Sequence, residues 1–331
     1  MYKKDDILSI QNKSDFFIPP TISREAQNIL RQFTFEERNS YVMPREDDLP
    51  GWKREWKKSI ERRREINTQM VAQYQPSLEN IMLGSVKAID IKPQGWIDNG
   101  KLIVYFHGGA YTFFDAESSF ISSVPLADES KLRIISVSYT TAPFAQWQEI
   151  INQAISAMDD LIRQGYSYKD MAVLGDSAGA GLATGAILKM RDSGKGMPGV
   201  VVLWSPWSDI TETGDTYITL KEEDPILLYS QSLEACANVY AKPEEQKNPY
   251  VSPVYADYST GFPPTLIQGG TKEIFLSNCI RHYQALDQAG VTVKLDLYEG
   301  MWHVFQALNP DLPESKLARK KTKEFIRCNI G

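Results

Sequence analysis

The stretch Met171-Ala172-Val173-Leu174-Gly175-Asp176-Ser177-Ala178-Gly179-Ala180-Gly181-Leu182-Ala183-Thr184-Gly185-Ala186 runs from a short apolar segment through a glycine-flanked serine into small residues. It predicts a strand, a sharp turn and a helix, with the serine at the apex. Glycines two residues either side of Ser177 suit that turn, because a side chain there would obstruct a strained backbone. The bare pattern Gly-x-Ser-x-Gly would arise by chance on the order of 0.1 times in a chain of this length. The strand before it and the helix after it lift the match well above that rate.

A second signal lies upstream. Lys101-Leu102-Ile103-Val104-Tyr105-Phe106 reads as a buried strand leading directly into His107-Gly108-Gly109-Ala110. A loop without side chains lets backbone N–H groups face a ligand, which is half of an oxyanion hole. The residue after the serine, Ala178, supplies the other N–H. The plain alternative is a glycine turn that ends a strand.

A serine hydroxyl needs a base at neutral pH, and imidazole is the usual one. The chain has three histidines. His107 belongs to the glycine loop, and His282 falls inside an expected helix over 276–289, where a packing role is the simpler reading. His303, in Gly300-Met301-Trp302-His303-Val304-Phe305, follows an expected strand over 293–298. The carboxyl end of a strand is where an open α/β sheet places reactive groups, so His303 is the candidate base. The third member is an acid between Ser177 and His303. Glu273, in the loop after the short strand Thr265-Leu266-Ile267-Gln268, is the first candidate and Asp257 the reserve. Asp287 and Asp296 fall in mid-helix and mid-strand and read as structural.

With these positions in place, the chain resembles the hormone-sensitive-lipase-like (family IV) carboxylesterases of the α/β-hydrolase superfamily. The resemblance rests on His107-Gly108-Gly109-Ala110, Tyr139-Thr140-Thr141-Ala142-Pro143, Gly175-Asp176-Ser177-Ala178-Gly179, Ser205-Pro206-Trp207, Pro249-Tyr250-Val251-Ser252-Pro253 and Gly300-Met301-Trp302-His303-Val304-Phe305, and spans about residues 85 to 328. It implies a Ser177, His303 and Glu273 triad, an oxyanion hole of the Gly108, Gly109 and Ala178 amides, and ester hydrolysis through an acyl-enzyme without cofactor or metal. The chain departs from the family at Ala110, where a third glycine is usual, and at Glu273, where Asp is frequent. Thr140-Thr141-Ala142-Pro143-Phe144 also differs from the usual Arg-Leu-Ala-Pro-Glu.

The bulk properties narrow the function. Forty-two per cent hydrophobic residues over 331 positions allow a large core, and a net charge of −6 argues against nucleic acid as the main partner. The start, Met1 to Leu8, shows no apolar secretory segment, and no run is long enough to span a membrane. Cys236, Cys279 and Cys328 are widely spaced without metal-ligand pattern, so a cytoplasmic protein is expected.

From about Gly84, strands (86–91, 101–106, 133–138, 171–174, 200–204, 265–268, 293–298) alternate with helices (117–130, 146–164, 177–191, 276–289, 314–328). The expected architecture is α/β, an α/β-hydrolase fold with a mostly parallel central sheet flanked by helices and carrying a helical cap. Residues 1–80 are expected to form a cap of two or three helices, and 81–331 the catalytic domain. Residues 208–259 are expected to be a lid excursion with one helix near 230–241. The charged run Trp52 to Glu65 reads as a solvated helix face rather than a nucleic-acid or membrane patch, because glutamates interleave its basic residues.

Tyr111, Phe113, Phe114 and Trp207 are candidates for the pocket wall, and Phe16, Phe17, Trp52 and Trp56 for the lid. Bulky walls favour short acyl groups on a small-molecule ester. Two rival functions are an amidase or peptidase with the same triad, and a non-catalytic ligand-binding member of the family, which the presence of His303 disfavours. A homodimer through an exposed sheet edge is compatible with the resemblance, although no residue requires it.

Overall fold

Strand segments that are apolar at every position need cover on both faces, which a sheet between two helix layers provides. The computed structural model describes residues 14–330, so Met1 to Leu8, read above for a secretory signal, lies outside them. Its sheet holds β1 (Ser77–Leu83), β2 (Val86–Lys92), β3 (Leu102–Phe106), β4 (Arg133–Ser138), β5 (Met171–Asp176), β6 (Val200–Trp204), β7 (Thr265–Gly270) and β8 (Val293–Tyr298). Their spatial order is β1-β2-β4-β3-β5-β6-β7-β8. β2 runs antiparallel to β1 and β4, and the remaining neighbours are parallel. The central strands β3, β5 and β6 are buried throughout.

The longer helices are α1 (Arg24–Leu30), α2 (Phe35–Asn39), α3 (Leu49–Tyr74), α4 (Phe120–Ser130), α5 (Trp147–Arg163), α6 (Ala178–Asp192), α7 (Glu234–Tyr240), α8 (Leu276–Gln288) and α9 (Pro313–Asn329). Alternate strand residues face opposite layers. Val104, Phe106 and Val173 join a core with α5, α6 and α8, whereas Ile103, Tyr105 and Leu174 join one with α4 and α9. α5 shows the cause clearly: Ile150, Ile151, Ala154, Met158 and Leu161 recur at helical spacing and are all buried. None of the helices among the described residues is long and apolar enough to cross a membrane.

α1 to α3 precede the sheet in the chain as three helices. Leu30 and Ala26 pack with Trp302 and Phe305. The Asn67 amide of α3 donates to Ser118 O (2.9 Å) and its oxygen accepts from Ile121 N (2.8 Å), which pins α3 to the start of α4. Residues 208–259 leave the sheet after β6 and contain α7, near where a helix was expected.

The sheet begins earlier than the sequence reading placed it. β1 starts at Ser77, so a boundary at residue 80 falls inside a strand. β1 is an edge strand with most of its residues exposed, and its Ser77-Leu78-Glu79-Asn80 start carries no apolar alternation. Its partner defines it: Leu83 pairs with Val86 across a tight turn at Gly84, whose φ is +60°.

The antiparallel join of β2 to β4 carries a buried ion pair. Arg133 Nε and a second guanidinium nitrogen donate to the Asp90 carboxylate at 2.8 and 3.1 Å. Asp90 is 2% exposed, and among the described residues only Lys92, at 3.0 Å, offers it another charge. Arg133→Leu is expected to cost about 2 kcal/mol, because it leaves the buried carboxylate with Lys92 as its charged partner. Urea unfolding measures this, and a loss below about 1 kcal/mol would show the pair to be dispensable.

Candidate active site

β5 delivers Ser177 at the entry to α6 with φ 54° and ψ −121°, a region that residues with a side chain occupy at a cost of about 1–3 kcal/mol. Neighbouring backbone fixes the turn. Ser177 N donates to Trp204 O (2.8 Å), and Trp207 N donates to Ser177 O (3.0 Å). The flanking glycines are required by contact: a Cβ on Gly175 would lie 2.3 Å from Gly179 O, and one on Gly179 would lie 2.1 Å from Phe106 O. The close crossing of α6 over β3 therefore dictates the Gly-x-Ser-x-Gly spacing.

Three distant chain segments meet at the serine. His303 Nε2 stands 2.9 Å from Ser177 Oγ, and His303 Nδ1 stands 2.9 Å from Glu273 Oε2. A carboxylate at Nδ1 calls for the proton there, which leaves the Nε2 lone pair facing the serine hydroxyl. Glu273 is fully buried, and its Oε1 accepts from Gly270 N and from Ser205 Oγ (3.0 Å). Ser205 Oγ in turn accepts from Val304 N at 3.0 Å. One hydroxyl thus ties the carboxylate to the loop that carries the imidazole. Asp257, the reserve acid, lies on an exposed loop where its carboxylate accepts from Ser259 N (2.8 Å).

The glycine loop departs from expectation at one amide. Gly108 N donates to Asp176 Oδ1 at 3.2 Å, so this N–H is engaged within the protein. A side chain at 108 would meet Asp176 Oδ2 at 2.6 Å; the glycine there serves close packing. Among the described residues, no acceptor faces the N–H groups of Gly109, Ala110 and Ala178. Gly109 and Ala110 have φ of 101° and 52°, and Ala178 opens α6, where the first N–H groups have no intrahelical acceptor. His107 braces the loop from behind. Its ring stacks on Tyr139 (4.2 Å), whose hydroxyl donates to His107 O (2.7 Å). Burial lowers its pKa to about 4, so the ring is neutral near pH 7. His282 is likewise buried, beside the Tyr258 hydroxyl (2.9 Å), with its pKa lowered to about 3 by burial.

Asp176 was legible only as the variable residue before the serine. It is buried, and its Oδ1 also accepts from the Tyr105 hydroxyl. Burial pushes its carboxyl pKa up, against the opposing pull of the Tyr105 hydrogen bond and of Arg63.

Ser177 and His303 open on a cleft of about 350 Å³ lined also by Phe113 and Phe114. Tyr111 and Trp207, expected on its wall, are elsewhere. Tyr111 stacks on Tyr240 at 3.6 Å and tilts against Trp207 at 5.8 Å, and Trp207 stacks on Phe275 at 5.7 Å. Phe275 meets the His303 ring edge-on at 5.0 Å. These fully buried rings form a column behind the cleft, set inward because Tyr111 itself has a positive φ of 63° and its hydroxyl lies against Gly181.

The lid aromatics also differ from expectation. Trp52 packs on Phe113 (6.2 Å), and Trp56 Nε1 donates to Phe114 O (3.0 Å), so both support the wall from outside. Phe16 packs on Phe35 (4.7 Å), and Phe17 is exposed. The cap instead lends the cleft Tyr41, Met43 and Arg63, and residues 208–259 lend Ile226, Leu227 and Leu233. Asp224 anchors that second segment, accepting from Ile226 N (2.8 Å) and Leu227 N (2.9 Å) and, with its other oxygen, from Ile274 N (2.8 Å) beside Glu273.

Comparison with known proteins identifies the family. Residues 103–307 match a family model described as the alpha/beta hydrolase fold. An esterase of Acinetobacter venetianus is 34% identical over 74% of this chain and 80% of its own length. An acetyl-hydrolase of Streptomyces hygroscopicus is 32% identical over 70% of this chain and 77% of its own. Among solved structures, esterase E25 superposes with a TM-score of 0.89 at 27% identity, over 95% of this chain and 96% of that one. An esterase from the bacterial hormone-sensitive lipase family superposes with a TM-score of 0.77 at 26% identity over both full chains. The chain belongs to the α/β-hydrolase superfamily, within its hormone-sensitive-lipase-like group of carboxylic ester hydrolases.

Proposed function

We propose that this protein is a serine carboxylesterase that hydrolyses short- to medium-chain acyl esters through a Ser177, His303 and Glu273 triad. The observation that carries the reading is the continuous hydrogen-bonded line from Ser177 Oγ through His303 to Glu273, opening on a cleft beside amides with no other acceptor.

In this mechanism the Ser177 Oγ–H proton passes to His303 Nε2 as Oγ bonds to the ester carbonyl carbon. The carbonyl oxygen becomes an oxyanion held by the Gly109, Ala110 and Ala178 amides, each worth roughly 3 kcal/mol in the transition state. Glu273 offsets the imidazolium charge. When the tetrahedral intermediate collapses, the carbon–alkoxide bond breaks and His303 gives its proton to the departing alcohol. Water then repeats the sequence on the acyl-enzyme and releases the acid. Support for short acyl groups comes from the modest cleft and its apolar wall of Phe113, Ile226, Leu227 and Leu233. Three unpaired cysteines fit a cytoplasmic setting.

Ser177→Ala is expected to retain less than about 1% of wild-type turnover of p-nitrophenyl butyrate while folding normally, and Glu273→Gln to lose on the order of 10⁴-fold in kcat. A near-normal rate in either variant would contradict the assignment. Ser205→Ala removes one buried hydrogen bond to Glu273 and should lower kcat about tenfold with little change in KM; an unchanged kcat would make Ser205 a packing residue only. Across a p-nitrophenyl ester series, kcat/KM should peak below about eight acyl carbons, and a maximum at twelve or beyond would reject the short-chain preference.

A further inference from the structure

The cleft holds a charge that hydrolysis of a neutral ester leaves idle. Arg63, on α3, lines the same cleft as Asp176, Ser177 and Phe114. Its guanidinium carbon lies 3.5 Å from the centroid of the Phe114 ring. Stacking of this kind fixes the guanidinium plane and leaves its N–H edges free to the sides. Among the described residues, no side chain or carbonyl accepts a hydrogen bond from Arg63, and no carboxylate stands within ion-pair distance.

The nearby acids are committed elsewhere. Asp176 acts on Arg63 only through space, and its Oδ1 already receives the Tyr105 hydroxyl and Gly108 N. Glu55, the other acid on the cleft, pairs with Lys58 at 2.6 Å. Arg62, also on the cleft, has an aromatic neighbour as well, with its guanidinium carbon 5.3 Å from the Tyr41 ring. Two arginines therefore line the cleft, and neither is ion-paired among the described residues.

Burial disfavours the charged guanidinium, with the field of Asp176 offsetting part of that cost. A guanidinium remains protonated in proteins all the same. The half-buried Arg63 guanidinium has no hydrogen-bonded partner among the described residues, and a planar ligand carboxylate is the group whose geometry matches it.

We propose that Arg63 is a specificity-determining residue that binds a carboxylate on the ester substrate, so that the preferred substrates are anionic esters such as dicarboxylate half-esters. The assignment rests on the serine-esterase reading above and adds the chemical class of substrate. The carboxylate belongs either to the acyl part or to the alcohol part, and paired substrates separate the two.

The test compares p-nitrophenyl hemiglutarate with p-nitrophenyl valerate, and 4-acetoxybenzoate with its methyl ester, after subtraction of uncatalysed hydrolysis. The readout is the ratio of kcat/KM for the anionic to the neutral member, taken within each protein so that a general loss of fold cancels. In the wild type at least one ratio should exceed one. In Arg63→Gln that ratio should fall about tenfold or more, through KM of the anionic ester, and Arg63→Lys should retain part of it. The pair that responds places the carboxylate on the acyl or the alcohol side. If neutral esters are turned over but neither ratio moves in Arg63→Gln, the anion assignment fails alone. If the wild type turns over no ester, the esterase reading fails and this assignment falls with it.

Discussion

The backbone at Ser177 is held in a conformation that an isolated residue avoids, and the rest of the site is arranged around that constraint. The turn persists because α6 leaves no room for a Cβ on Gly175, and β3 leaves none for a Cβ on Gly179. Hydrogen bonds from Ser177 N to Trp204 O and from Trp207 N to Ser177 O lock it between β5 and β6. The sheet thereby meets the cost of the strained turn and lifts the hydroxyl to its carboxyl edge, with the N–H of Ala178 beside it.

The remaining chemistry is brought to that point by loops that the same sheet edge aligns. β7 ends at Gly270, where a Cβ would meet Met301 O at 2.0 Å, so the loops bearing Glu273 and His303 are pressed together. Ser205, at the end of β6, bonds to both. Behind them, the ring column from Tyr240 to Phe275 forms an apolar floor against the imidazole. Above them, α3 and residues 208–259 close the cleft, and Asp224 joins that second segment to the Glu273 loop. One hydrogen bond thus links residues 208–259, which line the cleft, to the loop that carries Glu273.

The sequence made visible those features whose cause is local. The elbow could be read because its glycines answer a short-range steric demand. His303 stood out because the chain has few histidines, and of the other two His107 belongs to the glycine loop and His282 to a helix. Features decided by contacts across the chain were hidden. That Gly108 N is taken by Asp176, 68 positions away, cannot be seen in a glycine run. Aromatic identity showed that Tyr111 and Trp207 would be buried, but not whether they faced the cleft or the floor. β1 lacks an apolar alternation and exists because β2 offers it an edge. Arg63 looked like any other cation of the solvated run from Trp52 to Glu65, and only the path of α3 turns it inward.

The central claim is that one hydroxyl, activated by one imidazole, is the nucleophile. Peptide mass spectrometry after treatment with a fluorophosphonate examines this without assuming any substrate. The account predicts a single phosphonyl adduct on the peptide containing Ser177, with labelling strongly slowed in His303→Ala. An adduct on another residue, or a folded protein that takes up no label, would contradict it.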